Sequence, residues 1–520
     1  MIKNKIKNLD LSATLKINEI SKNLENDGKE VIRFGFGQSP FQVPDQVVEE
    51  LKKNAHQKSY LPTQGLHELR EVIAKYESKK KNNNFTPNQI IVGPGSKELM
   101  FLLHISFDGE IILPTPSWVS YQPQSIIADN KFHWIETTSG NNWHPTAENI
   151  ENLILKDKEK NYLLFLNSPN NPSGQVCKNL REISEIVKKY NIIVLSDEIY
   201  SELTFDENYD SISNYCSDKV IVSNGLSKWC GAGGWRLGYF VIPNKLNQLK
   251  NSIKVLASET FSAVSAPIQY AAISAFNIDH SDYIRKSKVI LKGIGEYVYR
   301  NLKSNNVVMN KPMGGFYLMP EFLNKNFKTS ADMCTDLLNK KSVAILPGFD
   351  FGFPKDKMIT RLSYTDFDGK NFMSKISSDT SIDEELINKF EDMICKYTGS
   401  KFAIAVVNGT SALHISLILA GVGKNNEVLV PALTFAATAN AVSYCEATPH
   451  FVDIETNTLG IDPIKLRNYL SKNTFQKNKK CVNKKTKRII KAIVPVYIYG
   501  HPYRVDEVIS LCKDFNIDLI

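Results

Sequence analysis

Short, continuously apolar segments alternate with amphipathic segments along most of this chain, and that alternation limits the folds it can adopt. Each apolar segment is followed by a turn and usually by a helical pattern. Strands that are apolar on both faces and lie between helices indicate a largely parallel sheet covered on both sides. The sequence therefore predicts an α/β fold. Its first five strands are expected at QIIVG (89–93), GEIILP (109–114), NYLLFLN (161–167), NIIVLS (191–196) and KVIVSN (219–224).

The alternation changes twice further along the chain. A long helical pattern at 282–303 precedes GGFYLMPEF, SVAILPG and MITRLSY, whose strand-like patterns predict a smaller α+β domain. Residues 366–382 are rich in Asp, Gly and Ser, which predicts a junction. The α/β pattern then restarts with a helix at 383–399 and a strand at KFAIAVVNG (401–409). A length of 520 residues leaves room for two or three domains.

Charge and cysteine content exclude several classes of protein. The net charge of +8 is mild for this length, and the basic run at 477–488 lacks the interleaved aromatic residues of a nucleic-acid surface. That run is predicted to be a solvated loop, so no nucleic-acid partner is expected. Eight cysteines without a CxxC pair or a Cys/His cluster predict neither a metal site nor disulfides, and suit a cytoplasmic protein. No apolar run reaches about 18 residues, so no membrane span is expected.

Ligands of open α/β sheets bind beyond the carboxyl ends of the strands, so the side chains there form the candidate site. A turn at a helix N-terminus, which favours a phosphate, is followed by an aromatic ring, an amide, a carboxylate, a phenol, a lysine and two arginines. Each alone has an ordinary structural explanation, such as a turn, a core ring or a helix cap. Together they are the parts that hold pyridoxal phosphate. In chain order they are Gly95, Ser96, Lys97, Trp118, Asn171, Asp197, Tyr200, Lys228, Arg236 and Arg361.

Residues 12–366 resemble the class I/II aminotransferases of fold type I, particularly their aspartate and aromatic aminotransferase branch. The resemblance is carried by SATLKINEISKNLENDGKEVIRFGFGQSPF, YLPTQGLHELREVIA, NSPNNPSGQV, SDEIYSEL, SNGLSK with GGWRLGY, and RLSY. It implies a mostly parallel, seven-stranded sheet with helices on both faces and a small α+β domain. The implied divisions are an N-terminal arm at 1–45, a large cofactor-binding domain at 46–275, a small domain at 276–366, a junction at 367–382 and a partial second unit at 383–520.

The resemblance also implies a catalytic role for the residues around the cofactor ring. Lys228 would form a Schiff base with pyridoxal phosphate and then act as general base and acid. Asp197 would pair with the ring nitrogen, which lets the ring withdraw electrons from the substrate. Asn171 and Tyr200 would hydrogen-bond the ring oxygen, and Trp118 would stack on the ring. The implied reaction moves an amino group between an amino acid and a 2-oxo acid.

The remaining roles concern the two anionic groups of the complex. Arg361 would bind the substrate carboxylate through a two-pronged contact beside Gly37, with Trp118 and Asn171 completing the substrate site. Tyr60 corresponds to a tyrosine that reaches the phosphate of the neighbouring subunit, which implies a homodimer with shared active sites. The residues implied to bind the phosphate within one chain are Gly95, Ser96, Lys97 and Arg236.

Two departures from the family pattern leave part of the chemistry open. Gly225 stands where many relatives carry a phosphate-binding hydroxyl, and GFGQSPF replaces the commoner GEPDF. No arginine is assignable to a side-chain carboxylate of the substrate, so the amino donor and acceptor stay undetermined. A pyridoxal-phosphate lyase, such as a carbon–sulfur lyase, is an alternative on the same scaffold. A ligand-sensing module without catalysis is another, although no helix-turn-helix pattern precedes the fold.

Residues 383–520 resemble the sugar-nucleotide aminotransferases of the DegT/DnrJ/EryC type. The motifs are YTGSKFAIAVVNGTSALHISLILAG, VLVPALTFAATANAVSYCEATPHFVDIETNTLGIDPIKL and VNKKTKRIIKAIVPVYIYGHP. The resemblance implies a second phosphate cradle at Gly409, Thr410 and Ser411, with Phe435 stacking on a ring. The chain ends at KDFNIDLI, before the family's ring-nitrogen carboxylate and its lysine. The second half is therefore expected to be catalytically incomplete, as in a gene fusion or a truncated product.

Overall fold

The protein is described from a computed structural model that covers residues 7, 9, 13–81, 83–205, 209–323, 326–376, 394–406 and 408–520. The chain divides into two compact units, Met1–Asp383 and Glu384–Ile520. Most of the helix predicted at 383–399 lies outside the described residues, and residues 394–398 are helical. None of the helices in the described ranges is long and apolar enough to cross a membrane.

The first unit is built from short strands between longer helices. Its strands are β1 Ile32–Arg33, β2 Ile90–Gly93, β3 Glu110–Thr115, β4 Phe132–Glu136, β5 Tyr162–Asn167, β6 Ile193–Asp197, β7 Val220–Gly225, β8 Gly238–Val241, β9 Val307–Val308, β10 Tyr317–Leu318, β11 Glu321–Phe322, β12 Val343–Ala344, β13 Leu346–Pro347 and β14 Thr360–Ser363. Its helices are α1 Ala13–Asn26, α2 Asp45–Asn54, α3 His67–Lys81, α4 Ser96–Ser106, α5 Tyr121–Ile127, α6 Ala147–Ile154, α7 Leu180–Lys189, α8 Ser213–Cys216, α9 Asn247–Thr260, α10 Ala266–Asn277, α11 Ser281–Leu302, α12 Ser330–Lys341 and α13 Gly369–Lys375.

A seven-stranded sheet organises this unit, and its strand order is β2-β8-β7-β6-β5-β3-β4. All neighbouring strands are parallel except that β8 runs antiparallel to β2 and β7. The predicted mostly parallel, seven-stranded sheet is confirmed. Successive strand residues alternate between two apolar layers, which is why these segments read as continuously apolar. Ile112, Leu164 and Val194 belong to one buried cluster, and Leu113, Phe165 and Leu195 to the other.

The register of the sheet aligns its polar ends. Asn167 at the end of β5 lies opposite Asp197 at the end of β6, and Asp197 lies opposite Ser223 on β7. Parallel strands end at the same edge, so the residues that follow β5, β6 and β7 converge there.

Smaller sheets surround this core. β1 pairs with β12, β14 lies between β10 and β13, and β9 pairs with β11. The segment GGFYLMPEF, predicted as one strand, is divided into β10 and β11 with Pro320 between them. Proline has no N–H to donate to a strand neighbour and interrupts the pairing. Helix α13 lies within the stretch 366–382 that the sequence predicts to be a junction.

The second unit repeats the alternation of strands and helices. Its sheet has the order β16-β15-β19-β18-β17, and β20 also pairs with β19. The prediction of a solvated loop at 477–488 is wrong in part, because this run contains β18, the second strand of the β17–β18 hairpin, whose residues 481–483 are buried. The strands are β15 Asn426–Pro431, β16 Thr448–Val452, β17 Thr474–Lys477, β18 Lys480–Asn483, β19 Ile489–Ile493 and β20 Asp518–Leu519, and the helices are α14 Gly409–Leu419, α15 Ala436–Tyr444, α16 Pro463–Asn473 and α17 Val505–Phe515.

The strand predicted at KFAIAVVNG (401–409) is wrong, because residues 402–406 form no strand and helix α14 already begins at Gly409. In the first unit the strand before the corresponding helix, β2, pairs only with β8. Among the described strands of the second unit none corresponds to β8, the neighbour with which β2 pairs in the first unit. Its side chains Phe402 and Ile404 are each 77% exposed.

Candidate active site

A cavity of about 360 Å³ opens at the carboxyl edge of the seven-stranded sheet. The loops after β3, β5, β6 and β7 supply nearly half of its lining residues, as the parallel topology predicts. Ten of the residues predicted from the sequence line it together. They are Gly37, Ser96, Lys97, Trp118, Asn171, Asp197, Tyr200, Lys228, Arg236 and Arg361.

The other predicted residues lie elsewhere. Gly95 is buried next to the cavity wall, with φ of +88°. Tyr60 is 95% exposed and does not line the cavity. The four residues of the second cradle, Gly409, Thr410, Ser411 and Phe435, belong to the second unit. There the side chain of Asn408 caps helix α14 by accepting a hydrogen bond from the Ser411 N–H at 2.8 Å.

Lys228 follows β7 in a turn that leads into β8. Its Nζ donates to the Gly37 carbonyl oxygen at 2.8 Å and lies about 5.5 Å from the centres of the Tyr200 and Phe316 rings. Burial lowers the pKa of Lys228; nearby Tyr317 opposes that shift, whereas the charge of Arg361 adds to it. A lowered pKa makes the neutral amine, the form that acts as a nucleophile or base, easier to reach than in an exposed lysine.

Gly225 has a steric reason to be glycine. It lies opposite Gly238 where β7 and β8 pass each other. A Cβ on Gly225 would lie 2.7 Å from the Leu237 carbonyl oxygen and 2.9 Å from the Gly238 Cα. The hydroxyl that many relatives carry there has no room, whereas the Ser227 side chain lines the cavity.

Asp197 is buried at the end of β6. Its Oδ2 accepts a hydrogen bond from the Tyr121 hydroxyl at 2.6 Å, and its Oδ1 accepts one from the Ile199 N–H at 3.4 Å. Burial raises the pKa of Asp197 to about 6, although both hydrogen bonds oppose the shift. The Asn167 side chain fixes the backbone by donating to the Asp197 carbonyl oxygen at 2.8 Å. A cation or an N–H donor facing this carboxyl would restore its charged form.

A chain of polar contacts joins the opposite wall of the cavity. Asn171 Nδ2 lies 3.4 Å from the Tyr200 hydroxyl, which in turn lies 3.0 Å from the Tyr317 hydroxyl. Arg361 Nη1 donates to Asn171 Oδ1 at 3.2 Å, and Nη2 donates to the Gly35 carbonyl oxygen at 2.5 Å. These contacts place one guanidinium, two phenols and one amide around the same space.

Arg361 is only 1% exposed, yet it forms no ion pair with any carboxylate in the described ranges. Its Nε has no hydrogen-bond partner there. Its guanidinium lies 4.7 Å from the centre of the Tyr317 ring. A buried, unpaired guanidinium is costly unless an anion meets it, so this end of the cavity suits a carboxylate.

The other end of the cavity gathers two cations at the N-terminus of α4. Arg236 has a left-handed backbone, with φ of 58°. Its Nη1 and Nη2 donate to the carbonyl oxygens of Gly233 and Pro94 at 3.0 and 3.3 Å. Burial and the charge of Arg236 lower the pKa of Lys97, whose Nζ lies 5.2 Å from the centre of the Trp118 ring. Two like charges beside a helix N-terminus suit a doubly charged anion.

Comparison with known proteins decides the family. Residues 29–376 match the family described as Aminotransferase class I and II. This chain belongs to that family. The aspartate aminotransferase of Thermotoga maritima is 31% identical over 363 residues, which are 68% of this chain and 92% of that protein. The aspartate aminotransferase of Bacillus sp. strain YM-2 is 33% identical over 380 residues, 70% of this chain and 94% of that protein.

Solved structures and a second family extend the comparison. The Thermotoga maritima aspartate aminotransferase structure has a TM-score of 0.63 at 28% identity and covers 72% of this chain and 97% of its own. The alanine aminotransferase of Pyrococcus furiosus has a TM-score of 0.66 at 28% identity, covering 72% and 98%. Residues 366–520 match the DegT/DnrJ/EryC1/StrS aminotransferase family. Both predicted resemblances are confirmed.

Class I and II aminotransferases are transaminases that depend on pyridoxal phosphate, and the predicted enzyme class and cofactor are confirmed. The cavity fits that cofactor on its own geometry. A Cβ on Gly95 would lie 2.3 Å from Arg236 Nη2, so the glycine leaves the space that the guanidinium uses. The cations at α4 suit a phosphate, and the buried Asp197 suits a ring nitrogen.

Sequence reasoning missed several lining residues. Tyr317 lies in the quoted strand GGFYLMPEF, but strand alternation alone does not show which sheet or cavity its side chain faces. Tyr121, at the start of α5, does not line the cavity but supports it by donating its hydroxyl to Asp197. Thr14 and Leu15 reach the cavity from the N-terminal helix α1, a contact distant in sequence from the rest of the site.

Proposed function

We propose that this transaminase transfers an amino group between an amino acid and a 2-oxo acid, with Lys228 as the residue that carries the reaction. The observation that supports this most is the position of its Nζ between two anion-binding ends, 2.8 Å from the Gly37 carbonyl oxygen. When bound, pyridoxal phosphate supplies an aldehyde that binds amines and a ring that withdraws electrons. Lys228 would hold the aldehyde carbon through Nζ and, once released, move a proton to and from the substrate Cα.

The other residues bind and orient. Arg361 would bind the substrate α-carboxylate, which completes its unpaired donors. Asp197 would hold the ring nitrogen in its protonated form. Asn171 and Tyr200 would donate to the ring oxygen, and Trp118 would cover the ring face.

Phosphate binding would fall to the N-terminal end of α4 and to the cations beside it. We propose that Ser96, Lys97 and Arg236 make these contacts within one chain, and that Ser227 supplies the hydroxyl for which Gly225 has no room. Tyr60, exposed on the described surface, would reach the phosphate of the partner subunit in a homodimer. We also propose the arm, large and small domains at 1–45, 46–275 and 276–366 as the working divisions of this unit.

The test uses the absorbance of the bound cofactor. Wild-type protein incubated with pyridoxal phosphate is expected to show a visible imine band that Lys228→Ala abolishes, because the bond needs the ε-amine. A panel of amino donors is then assayed with 2-oxoglutarate as acceptor. A wild-type protein without the band would refute the proposal. Pyruvate and ammonia formed from a single amino acid without an acceptor would instead indicate a lyase.

We further propose that residues 384–520 add no second catalytic centre. In support, the N-terminus of α14 is already capped by Asn408, and Phe435, at the position of the stacking ring, is 78% exposed. Wild-type protein is then expected to bind one equivalent of cofactor as an imine, and Lys228→Ala none. A residual band in Lys228→Ala would place a second reactive lysine in the chain and overturn this.

We propose a reducing cytosol as the compartment, since all eight cysteines are free thiols.

A further inference from the structure

The turn after β6 presents side chains in two opposite directions. Asp197 and Tyr200 line the cavity, whereas Glu198 and Glu202 point away from it and are also buried. Charged side chains are almost never fully buried unless they are paired. The partners of these two carboxylates come from the end of α3, on the far side of the turn.

Glu198 belongs to a buried triad of two carboxylates and one ammonium. Lys81 Nζ lies 3.0 Å from Glu198 Oε2 and forms an ion pair with Glu77, one helical turn earlier in α3. Glu77 and Glu198 are 0% exposed, and Lys81 is 3% exposed. The triad carries one net negative charge.

The neighbouring ion pair has no net charge. In it, Lys80 Nζ lies 2.6 Å from Glu202 Oε1. A buried ion network costs several kcal/mol of desolvation for each ion and is often no more stabilising than apolar packing. Stability alone therefore gives no reason for a net charge at this place.

Hydrogen bonds connect the triad to the strands that carry the active-site residues. Glu198 Oε1 accepts from Ser196 Oγ at 2.9 Å, on β6, and from Ser211 Oγ at 2.5 Å. Glu77 Oε1 accepts from the Tyr239 hydroxyl on β8 and from Asn224 Nδ2 at 3.4 Å, on β7. Asn224 precedes Lys228 by four residues and Ser196 precedes Asp197 by one, so the network contacts side chains next to both active-site residues in the sequence.

We propose that Glu77, Lys81 and Glu198 are positioning residues that fix the ends of β6 and β7 and place one net negative charge behind Asp197, so that they set the proton affinity of the groups facing the cofactor. This inference rests on the proposed function of Lys228 and Asp197. It adds a fixed charge outside the cavity that contacts neither the cofactor nor the substrate.

The sign of the effect follows from the charge. A negative charge favours the protonated form of a cationic acid, such as the Lys228 imine or the ring nitrogen. Glu198 also contributes to the raised pKa of Asp197, after the larger effect of burial. The other charged or titratable groups that face these residues are unchanged by substitutions in the triad. They are Tyr121 and Tyr200 at Asp197, Tyr317, Arg361 and Arg236 at Lys228, Tyr209 at Glu198, and Lys80, Glu202 and Tyr239 at Glu77.

The experiment titrates the visible band of the full-length holoenzyme against pH. Glu198→Gln keeps the shape of the side chain and removes the net charge of the triad. Its band is expected to titrate about half a pH unit lower than that of wild type, the order of effect of one nearby charge that the protein interior and solvent partly screen. Glu77→Gln removes the same charge from a more distant position and is expected to give a smaller shift in the same direction.

Ser211→Ala is the matched control, because it removes a hydrogen bond to Glu198 and leaves every charge in place. Its thermal midpoint is expected to fall while its band titrates as in wild type. Glu198→Gln and Glu77→Gln titrating at the wild-type pH would overturn the inference, as would an equal shift in Ser211→Ala. Wild-type protein without a Lys228-dependent band would instead refute the proposed function.

Discussion

Replacing Gly95 with alanine tests the phosphate-binding end of the cavity most directly. The residue has φ of +88°, and an added Cβ would lie 2.3 Å from Arg236 Nη2 and 2.9 Å from its Cζ. The guanidinium is the far end of a flexible side chain, so it can move away at little cost to folding. This movement, however, takes the Arg236 guanidinium away from the position in which it is proposed to bind the cofactor phosphate.

The two consequences, backbone strain and a lost phosphate contact, affect different free energies: the first affects folding and the second affects cofactor binding. Gly95 has φ of +88° and ψ of 153°, a conformation almost confined to glycine that costs a residue with a Cβ roughly 1–3 kcal/mol, partly offset by the less flexible unfolded chain. Losing one charge-assisted hydrogen bond costs about 1.5–3 kcal/mol. The second loss falls on binding and corresponds to an approximately 10- to 100-fold weaker cofactor Kd. Gly95→Ala is therefore expected to bind pyridoxal phosphate much more weakly while remaining folded.

The assay titrates apo-protein with pyridoxal phosphate and follows the visible band. Gly28→Ala provides the control, because Gly28 has φ of +80° but nothing within 4 Å of the added Cβ. Gly28→Ala also places a Cβ at a positive φ but does not touch the cavity, so its Kd is expected to match wild type. Wild-type affinity in Gly95→Ala, or equal weakening in both variants, would show that the Gly95–Arg236 contact does not govern phosphate binding.

Three further substitutions test separate parts of the site and fold. Asp197→Asn keeps the shape but removes the charge, and kcat/KM is expected to fall about 10- to 100-fold; unchanged turnover would exclude Asp197 as the ring-nitrogen partner. Tyr60→Phe is expected to leave the thermal midpoint unchanged but to weaken the cofactor Kd about 3- to 10-fold, a loss that an exposed tyrosine without a partner subunit would not show. Hydrogen bonds from Lys160 and His133 outweigh burial and lower the pKa of Glu110 to about 2. This carboxylate therefore stabilises the fold above about pH 4.5 and loses its effect as the pH falls toward 2. The urea midpoint of Glu110→Gln is expected to lie below wild type at pH 7, with the gap closing in that window; a gap independent of pH would contradict it.

The site was largely predictable because the sheet is parallel. Asn171, Asp197 and Lys228 follow three apolar strands, and parallel strands deliver the residues after their carboxyl ends to one edge. Local sequence was also sufficient for helix α4, where the glycine turn precedes a continuous helical pattern. The strand at 401–409 was wrong because strand formation depends on a partner that local sequence does not show.

The contacts of the side chains that point away from the cavity in the turn after β6 were not predictable. Glu198 stands beside Asp197 in the sequence, and only the fold shows that it faces Lys81. Tyr317 has the same limitation, since its hydroxyl meets Tyr200 across 117 positions of chain. Contacts of this kind depend on which strands become neighbours, and the apolar pattern of each strand carries no such information.

The two units share the order of four strands and one contact between a glutamate and a histidine on neighbouring strands. The order β4-β3-β5-β6 in the first unit corresponds to β16-β15-β19-β20 in the second. In the first unit Glu110 contacts His133 on the neighbouring strand. In the second, His450 Nδ1 lies 2.8 Å from Glu427 Oε2. In both cases the histidine lies opposite the residue two positions after the glutamate.

This correspondence shows which groups of the first unit's site belong to the shared topology. Trp118 follows β3 in the first unit, and Phe435 follows β15, the corresponding strand of the second unit. Each lies just before the next helix. The described residues of the second unit contain a counterpart of β6 in β20, but none of β7 or β8, between which Lys228 lies. A helix N-terminus and an aromatic ring can bind an anion or stack on a planar ligand. The topology that the two units share therefore carries groups of the binding kind, whereas Lys228, the proposed proton-transfer residue, lies in a part of the first unit outside it.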